Sequence, residues 1–238
     1  MTSNDPDETA GTILIVGASR GLGHAMAAEF LRRNWAVIGT VRGTGHTLLH
    51  ALADTFPGRV EVEELDVTER EQIAALRGRL SGRTVDILFV NAGTANTDQD
   101  ETIAEVTTDE FVRVMLTNAL GPMRVVEDLQ ECVAPAGMIG IMSSGQGSIS
   151  NNNSGGHEVY RGSKAALNQY MRSYAARHAG DARALVLMAP GWIRTALGGP
   201  AAPFGIEETV PQIVDTLLAQ RGRPGLRYLE RDGRTVPW

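Results

Sequence analysis

Short apolar segments alternate with helical segments along almost the whole chain, and no other feature of the sequence limits the fold as strongly. The first apolar run, residues 12–16, contains four consecutive branched aliphatic residues, which is typical of a strand buried on both faces of a sheet. Further apolar runs lie near residues 36–38, 60–62, 85–90, 138–142, 184–188 and 225–229. Helical periodicity follows residue 23 and recurs near residues 44–55, 68–80, 107–131, 158–178 and 206–220. Because such alternation builds parallel βαβ units, the sequence predicts an α/β fold with one doubly wound parallel sheet of about seven strands and helices on both faces.

No linker, repeat or shift in composition divides the 238 residues. The sequence therefore predicts a single domain over residues 12–238, preceded by a flexible polar tail over residues 1–11. The first eight residues are acidic and polar, unlike a secretory signal. Cys132 is the only cysteine, so an intramolecular disulfide is excluded and a reducing compartment is favoured. These features predict a cytoplasmic protein.

Charge and hydropathy exclude several classes of function. The chain has 22 Lys and Arg residues against 28 Asp and Glu residues, a formal net charge of -6. This acidic balance disfavours nucleic acid as a partner, because such proteins neutralise phosphates with clustered basic residues. No apolar run approaches the roughly 18 residues that a membrane-spanning helix needs. The five histidines have no spacing typical of a metal site, so no metal is expected.

A glycine-rich turn separates the first predicted strand from the first predicted helix. Its residues are Gly17, Ala18, Ser19, Arg20, Gly21, Leu22 and Gly23. At such a turn the N–H groups of the helix N-terminus converge, and glycine lets a pyrophosphate approach the backbone closely. The turn therefore predicts a dinucleotide-binding site.

The end of the second strand indicates which dinucleotide binds. No carboxylate stands between Trp35 and Asp54 to bind an adenosine ribose, whereas Arg42 follows the strand and Arg20 lies in the glycine turn. Two guanidinium groups can bind a 2′-phosphate through charge-assisted hydrogen bonds. The sequence predicts NADP(H) as cofactor; the alternative is that both arginines are solvated surface residues.

Six further motifs follow the glycine turn in order along the chain. They are Leu65-Asp66-Val67-Thr68, Asn91-Ala92-Gly93, Asn118, Ser143-Ser144, Tyr160-Arg161-Gly162-Ser163-Lys164 and Pro190-Gly191-Trp192-Ile193-Arg194-Thr195. Together with the turn, they resemble the short-chain dehydrogenase/reductase family, most closely its C-factor and sniffer type of carbonyl reductase. The resemblance covers nearly the whole chain and implies a Rossmann-type fold and a reductase of aldehydes or ketones.

The resemblance also implies a set of cofactor contacts beyond the glycine turn and Arg42. Asp66 would bind the adenine, and Thr195 would contact the nicotinamide amide unless its hydroxyl only caps a turn or helix. The remaining contacts implied are Val67, Asn91, Ala92, Gly93, Tyr160, Lys164, Pro190, Gly191 and Ile193.

Tyr160 and Lys164 are four residues apart in a predicted helix, so both side chains share one face. Lys164 is the only lysine among the 22 basic residues, which favours a role that arginine cannot fill. An ammonium beside a phenol favours the phenolate. We therefore expect Lys164 to lower the pKa of Tyr160 from its usual value of about 10 by some two to three units.

These residues predict a reduction in which hydride reaches a carbonyl carbon while Tyr160 protonates the oxygen. Ser144 would hold the carbonyl oxygen, with Ser143 as the alternative. The resemblance implies that Asn118 holds a water that connects Lys164 to solvent. Two alternative functions remain: an alcohol dehydrogenase that works in the oxidative direction, and a cofactor-binding signalling or regulatory protein.

Three features set expectations for the structure. Val16 and Val90 replace the Thr and Asn usual in the family, which puts the hydrogen bonds of the glycine turn in question. Ser144 and Tyr160 are 16 residues apart, so the Asn- and Gly-rich residues 151–156 should form a loop beside the site. The long helices have apolar residues on more than one side, such as Leu167 and Tyr170, and the resemblance implies that these helices pair copies of the chain into a homodimer or homotetramer.

Overall fold

The predicted strands pair into one parallel sheet in the computed structural model, which describes residues 9–238. The strands are β1 (Thr12–Val16), β2 (Ala36–Val41), β3 (Val60–Glu64), β4 (Val85–Val90), β5 (Val133–Met142), β6 (Ala184–Ala189) and β7 (Gly225–Glu230). Their order in the sheet is β3-β2-β1-β4-β5-β6-β7, and every neighbouring pair is parallel. The predicted fold class is confirmed.

Helices cover both faces of the sheet. They are α1 (Gly21–Arg32), α2 (Leu48–Thr55), α3 (Arg70–Arg79), α4 (Thr108–Met115), α5 (Gly121–Leu129), α6 (Glu158–Arg177) and α7 (Ile206–Gln220). Alternate residues of β1 point to opposite faces, so Leu14 packs in the apolar cluster under α3, α5 and α6. Ile13 packs in the second cluster, under α1, α2 and α7. Strands buried on both faces explain the continuous apolar runs in the sequence.

The long helix predicted over residues 107–131 is present, and a π-helical turn interrupts its α-helical hydrogen bonding. The structure divides it into α4, a π-helical turn over Leu116–Leu120, and α5. Pro122 explains the break, because it has no N–H to donate to the carbonyl of Asn118 four residues earlier, and its ring would clash with that carbonyl. Widened π turns of this kind occur frequently at functional sites. This one carries Asn118.

The sheet places the predicted site motifs at one edge. The chain leaves β1 and moves outward through β2 and β3, then returns to the other side of β1 as β4. The carboxyl ends of β1 and β4 therefore flank the point where the strand order reverses, which is where ligands bind in sheets of this type. The glycine turn follows β1, and Asn91 follows β4.

The beginning of the described chain is attached to the sheet. Of the predicted flexible tail, residues 1–8 lie outside the described residues. Ala10 N donates to Asn34 O at 2.8 Å, and Ala36 N donates to Gly11 O at 2.9 Å. From residue 9 onward, no helix is both long enough and apolar enough to span a membrane.

Candidate active site

The glycine turn is held in a fixed shape by bonds to the two neighbouring strands. Gly17 has a φ of 89°, a conformation that favours glycine. Its N–H donates to Thr40 Oγ1 at 3.0 Å, and its carbonyl accepts from Asn91 Nδ2 at 2.8 Å. A Cβ on Gly23 would lie 2.0 Å from the same carbonyl, so only glycine lets α1 begin this close to the turn.

Thr40 is a functional residue that the sequence analysis missed. It is fully buried in β2, and its hydroxyl supplies a side-chain anchor for the turn, which Val16 and Val90 cannot provide. The signal was present in the sequence, since Thr40 is the one side chain with a polar group in the run Ala36–Val41. A buried polar side chain in a strand requires a hydrogen-bond partner.

We expect Thr40→Val to lower the free energy of unfolding by about 1–3 kcal/mol, because it leaves the Gly17 N–H without its acceptor. Chemical denaturation measures this difference. Thr40→Ser is the control, since it keeps the hydroxyl and loses only a methyl group. Equal stability of the Val and Ser variants would show that the bond does not matter.

The N-terminus of α1 has the properties of an anion site. No side chain caps the helix, so its first N–H groups are available to a ligand. Gly21 has a φ of 58°, and apart from its chain neighbours and the backbone of α1 no atom of residues 9–238 lies within 4 Å of where its Cβ would be. A diphosphate can therefore approach the backbone here. Ser19 and Leu22, also predicted cofactor contacts, lie half-buried on this turn.

Arg20 and Arg42 are both exposed, and within residues 9–238 neither forms an ion pair. Arg42 directly follows β2, and Arg20 precedes the first residue of α1. Both guanidinium groups therefore keep all their donors for a ligand. The donor set suits an anionic dinucleotide, including one with an additional phosphate.

Asp66 and Val67 lie beyond the carboxyl end of β3. Thr68 donates to Asp66 Oδ1 from its N–H at 2.9 Å and from its hydroxyl at 2.7 Å. These bonds fix the carboxylate while Oδ2 can accept from a ligand. Val67 is buried, and its carbonyl would lie 2.7 Å from a Cβ on Gly121, so glycine at that position lets α5 pack against this segment.

The Asn91-Ala92-Gly93 segment joins the glycine turn to the polar residues of α6. Asn91 N and Ala92 N both donate to Val16 O, at 2.9 and 3.0 Å. A Cβ on Gly93 would lie 3.4 Å from Lys164 Nζ and 3.5 Å from Asn118 Oδ1. Gly93 therefore borders a gap that both polar side chains face.

The side chain of Asn118 is buried and hydrogen-bonded within the protein. Its Oδ1 accepts from Thr94 N at 2.8 Å, and its Nδ2 donates to Thr94 O at 2.7 Å and to Ser163 Oγ at 2.9 Å. Ser163 in turn donates to Tyr160 O at 2.7 Å. Asn118 thus connects the segment after β4 to the helix that carries Tyr160. Both donors of its Nδ2 are therefore used within the protein.

The two candidate serines point in different directions. Ser143 is buried, and its hydroxyl donates to Asn168 Oδ1 at 2.6 Å. Ser144 is partly exposed; its hydroxyl accepts from Gln146 N at 3.1 Å and lies close enough to the phenol of Tyr160 to influence its pKa. The structure therefore brings Ser144, and not Ser143, to Tyr160. Residues 151–156, which account for the long spacing before Tyr160, form the expected exposed loop.

Lys164 is buried below Tyr160. Its Nζ lies 5.9 Å from the centroid of the Tyr160 ring and donates to Met142 O at 2.9 Å. Desolvation lowers the pKa of Lys164 to about 8, because little water reaches the ammonium. The lysine is still mostly protonated at neutral pH.

The prediction that Tyr160 has a lowered pKa is wrong for this structure. Desolvation raises the pKa of Tyr160, and the hydrogen bond from Ser144, which acts in the opposite direction, does not compensate for it. The i,i+4 spacing correctly brought the two groups to one helix face. It could not show that burial dominates at the phenol or that Nζ is bonded to a strand carbonyl.

A residue near the C-terminus, Arg231, holds the loop after β6 in place. Gly191 has a φ of 90°, and a Cβ there would lie 2.5 Å from Arg231 Nη1. The same guanidinium donates to Pro190 O at 3.2 Å and stacks 3.8 Å above the ring of Phe204. The loop that is expected to contact the nicotinamide is therefore fixed at its start.

Within this loop, Ile193 is buried and pairs with Phe204 in a short parallel bridge. The hydroxyl of Thr195 accepts from Gly198 N at 3.1 Å, so it caps a turn. This is the alternative role considered for Thr195. Its contact with a nicotinamide amide stays a prediction.

Comparison with known proteins identifies the family. Residues 17–214 match the family model described as enoyl-(acyl carrier protein) reductase. A 1-hydroxy-2-glutathionyl-2-methyl-3-butene dehydrogenase from Rhodococcus sp. strain AD45 is 32% identical over 233 residues, which are 95% of this chain and 99% of that protein. The chain belongs to the short-chain dehydrogenase/reductase family. The predicted family is thereby confirmed, and the protein is an oxidoreductase of this family.

Two solved short-chain dehydrogenase/reductase structures resemble the whole described chain. A Burkholderia multivorans protein, described as a short-chain dehydrogenase/reductase with bound NADP, is 66% identical with a TM-score of 0.95; the match covers 96% of this chain and 99% of that one. A carbonyl reductase from Pseudomonas aeruginosa PAO1 in complex with NADP is 32% identical with a TM-score of 0.88, and the match covers the same two fractions.

Proposed function

We propose that this protein is an NADP(H)-dependent reductase of aldehydes or ketones. The observation that carries the proposal is the assembly of Ser144, Tyr160, Lys164 and Asn118 next to Gly93, at the sheet edge that also carries the glycine turn. A proton donor, a second hydroxyl and a buried cation are what carbonyl reduction requires. The NADP-bound relatives support the choice of cofactor.

The residues that would hold the dinucleotide lie along the crevice between β1 and β4. The glycine turn would bind the diphosphate, Arg20 and Arg42 the 2′-phosphate, and Asp66 the adenine. Gly93 and the Pro190–Thr195 segment would line the nicotinamide end. When bound, NADPH supplies the hydride that reduces the carbonyl carbon.

The protein side chains would provide the proton and the electrostatic stabilisation. Ser144 and Tyr160 both donate hydrogen bonds to the carbonyl oxygen and fix its position. Tyr160 then transfers its proton to that oxygen as negative charge develops there. The ammonium of Lys164, 5.9 Å from the ring, stabilises the phenolate that remains.

The phenolate must regain a proton before the next turnover. The break at Pro122 leaves the Asn118 carbonyl without an α-helical N–H partner, so this oxygen can bind a water near Lys164. We infer that such a water passes protons from solvent to Lys164. This role uses the backbone of Asn118, while its side chain holds the local structure.

The raised pKa of Tyr160 favours reduction over oxidation. A reductase needs the phenol protonated, and burial keeps it so at neutral pH. An alcohol dehydrogenase needs the phenolate as a base and would work best at high pH. We therefore rank oxidation of alcohols second, and a signalling role without turnover third.

The test is consumption of NADPH by the purified protein at neutral pH across a panel of aldehydes and ketones, with NADH measured in parallel. We expect turnover with several carbonyl compounds and a higher kcat/KM for NADPH than for NADH. Oxidation of alcohols by NADP+ without carbonyl reduction would support the second function. No turnover in either direction would support the third.

Arg42→Ala should weaken NADPH binding about 10- to 100-fold and leave NADH binding unchanged, because a charge-assisted hydrogen bond contributes about 1.5–3 kcal/mol. Arg20→Ala should act in the same direction. Fluorescence titration with each cofactor measures both affinities. Arg223→Ala, which removes an exposed arginine from the loop before β7, is the matched control. An equal loss for NADPH and NADH would refute the assignment of the 2′-phosphate site.

We further propose that the protein is a homodimer or homotetramer in the cytoplasm. Exposed apolar side chains lie on α4, the π turn and α6, where a second copy could cover them: Phe111, Val112, Leu120 and Tyr170. Sedimentation equilibrium measures the assembly, and a monomer at micromolar concentration would contradict it.

A further inference from the structure

Tyr228 lies in β7, the edge strand of the sheet opposite β3. Its side chain reaches the backbone of Ser144, the proposed catalytic serine. Tyr228 is 1% exposed, and its hydroxyl donates to the carbonyl of Ser144. The mechanism above does not use this tyrosine. A buried phenol with its single donor committed to this carbonyl restrains the position of the peptide that carries the Ser144 side chain.

A buried polar network fixes the same turn from the opposite side. Ser143 Oγ donates to Asn168 Oδ1 at 2.6 Å, and Asn168 Nδ2 donates to Gly147 O at 3.2 Å. Both side chains lie close to the phenol of Tyr228. The turn over residues 143–147 is thus bonded before, at and after Ser144.

The ring of Tyr228 is held in place by the last residues of the chain. Val236 N donates to Tyr228 O at 2.8 Å, and the ring of Trp238 packs with its centroid 5.4 Å from that of Tyr228. The guanidinium of Arg172 lies 4.5 Å above the Trp238 ring. With its ring packed on this side, the phenol cannot swing away from Ser144 without disturbing the packing.

We propose that Tyr228 is a positioning residue that sets the direction of the Ser144 hydroxyl toward Tyr160 and the carbonyl oxygen. The role in catalysis rests on the proposed function, whereas the restraint on Ser144 does not. Burial raises the pKa of Tyr228 to about 12, so the phenol keeps the proton that it donates over the whole working range of pH.

Tyr228→Phe removes the hydroxyl and keeps the ring, so it tests the bond without opening a cavity. Tyr174→Phe is the matched control, because Tyr174 is also fully buried and its hydroxyl donates to Gln130 Oε1 at 2.7 Å, at the opposite end of α6. We expect Tyr228→Phe to lower kcat about tenfold, since small misplacements of a reacting group are costly, with the Kd for NADPH within about twofold of wild type. Tyr174→Phe should retain the wild-type kcat.

If Tyr228 is a positioning residue, the loss of kcat in Tyr228→Phe must act through Ser144. In a Ser144→Ala background, adding Tyr228→Phe should cause no further loss of kcat, because the hydroxyl that it positions is already absent. A second loss of the same size in that background would overturn the proposal, and so would a Tyr228→Phe variant as active as Tyr174→Phe.

A second readout needs no activity. The amide of Gln146 donates to Ser144 Oγ, so its NMR chemical shift reports the position of that hydroxyl. We expect the shift to change in Tyr228→Phe and not in Tyr174→Phe; an unchanged shift would contradict the restraint. A changed shift in a protein without carbonyl reductase activity would support the restraint and overturn the proposed function alone.

Discussion

Tyr160→Phe should lower kcat for carbonyl reduction by at least about a hundredfold, the size expected when a general acid is lost. The variant removes the phenolic proton while the ring still fills its half-buried site. Ser144 is left to hold the carbonyl oxygen, but a serine hydroxyl cannot easily release a proton near neutral pH. Steady-state rates with saturating NADPH measure the effect.

The Kd for NADPH should change little in this variant, because the glycine turn and the two arginines remain intact. Tyr174→Phe, which removes a buried hydroxyl from the far end of the same helix, is the control and should have the wild-type kcat. Near-full activity of Tyr160→Phe would remove the proposed mechanism. A loss of activity accompanied by an equal loss of NADPH binding would instead indicate a structural role.

Lys164→Met should also lower kcat about a hundredfold. A unit charge about 6 Å from a forming phenolate contributes about 3 kcal/mol at an effective dielectric constant near 20, which corresponds to about two orders of magnitude in rate. Because the pKa of Lys164 is about 8, the wild-type kcat should fall as the pH rises from 7 to 9 and the ammonium loses its proton. The pH profile of kcat measures both effects.

Lys164→Arg is the charge-retaining control. Its guanidinium does not deprotonate in this range, so its kcat should be lower than that of the wild type but constant from pH 7 to 9. A fall near pH 8 that persists in Lys164→Arg would assign the titration to another group.

The same lysine links stability to pH with a definite sign. Native Lys164 releases its proton near pH 8, whereas the unfolded chain holds it until about pH 10.5, the ordinary pKa of a lysine. Between these values the unfolded state binds more protons, so the free energy of unfolding should rise with pH relative to that of Lys164→Met. Chemical denaturation at pH 7 and pH 10 tests this as a second readout of the lysine prediction.

The fold could be predicted because strands buried on both faces produce continuous apolar runs, such as residues 12–16, that local sequence reveals. The placement of Tyr160 and Lys164 on one helix face could also be predicted, because residues four apart in a helix share a face. Both patterns depend on neighbours within a few residues along the chain.

Other parts of the site depend on contacts between distant segments. Thr40 bonds Gly17, 23 residues away along the chain, and Tyr228 bonds Ser144, 84 residues away. No local sequence pattern predicts such bonds. The direction of the Tyr160 pKa shift was also mispredicted, because desolvation depends on the assembled protein rather than on the i,i+4 partner.

The π turn at Asn118 was missed for a different reason. Its cause, Pro122, stands in the sequence, but the apolar periodicity around it was read as one continuous helix. Proline is tolerated in the first turn of a helix, so the residue marks the start of α5 as readily as an interior kink.

A crystal structure of the protein with NADP+ and the alcohol product of a ketone that it reduces would show whether Tyr160 is the proton donor. We expect the Tyr160 phenol oxygen about 2.6–3.2 Å from the alcohol oxygen, with Ser144 Oγ bonded to the same atom and Lys164 Nζ facing the nicotinamide end of the cofactor. An alcohol oxygen bound by other side chains, with Tyr160 beyond hydrogen-bond reach, would contradict it.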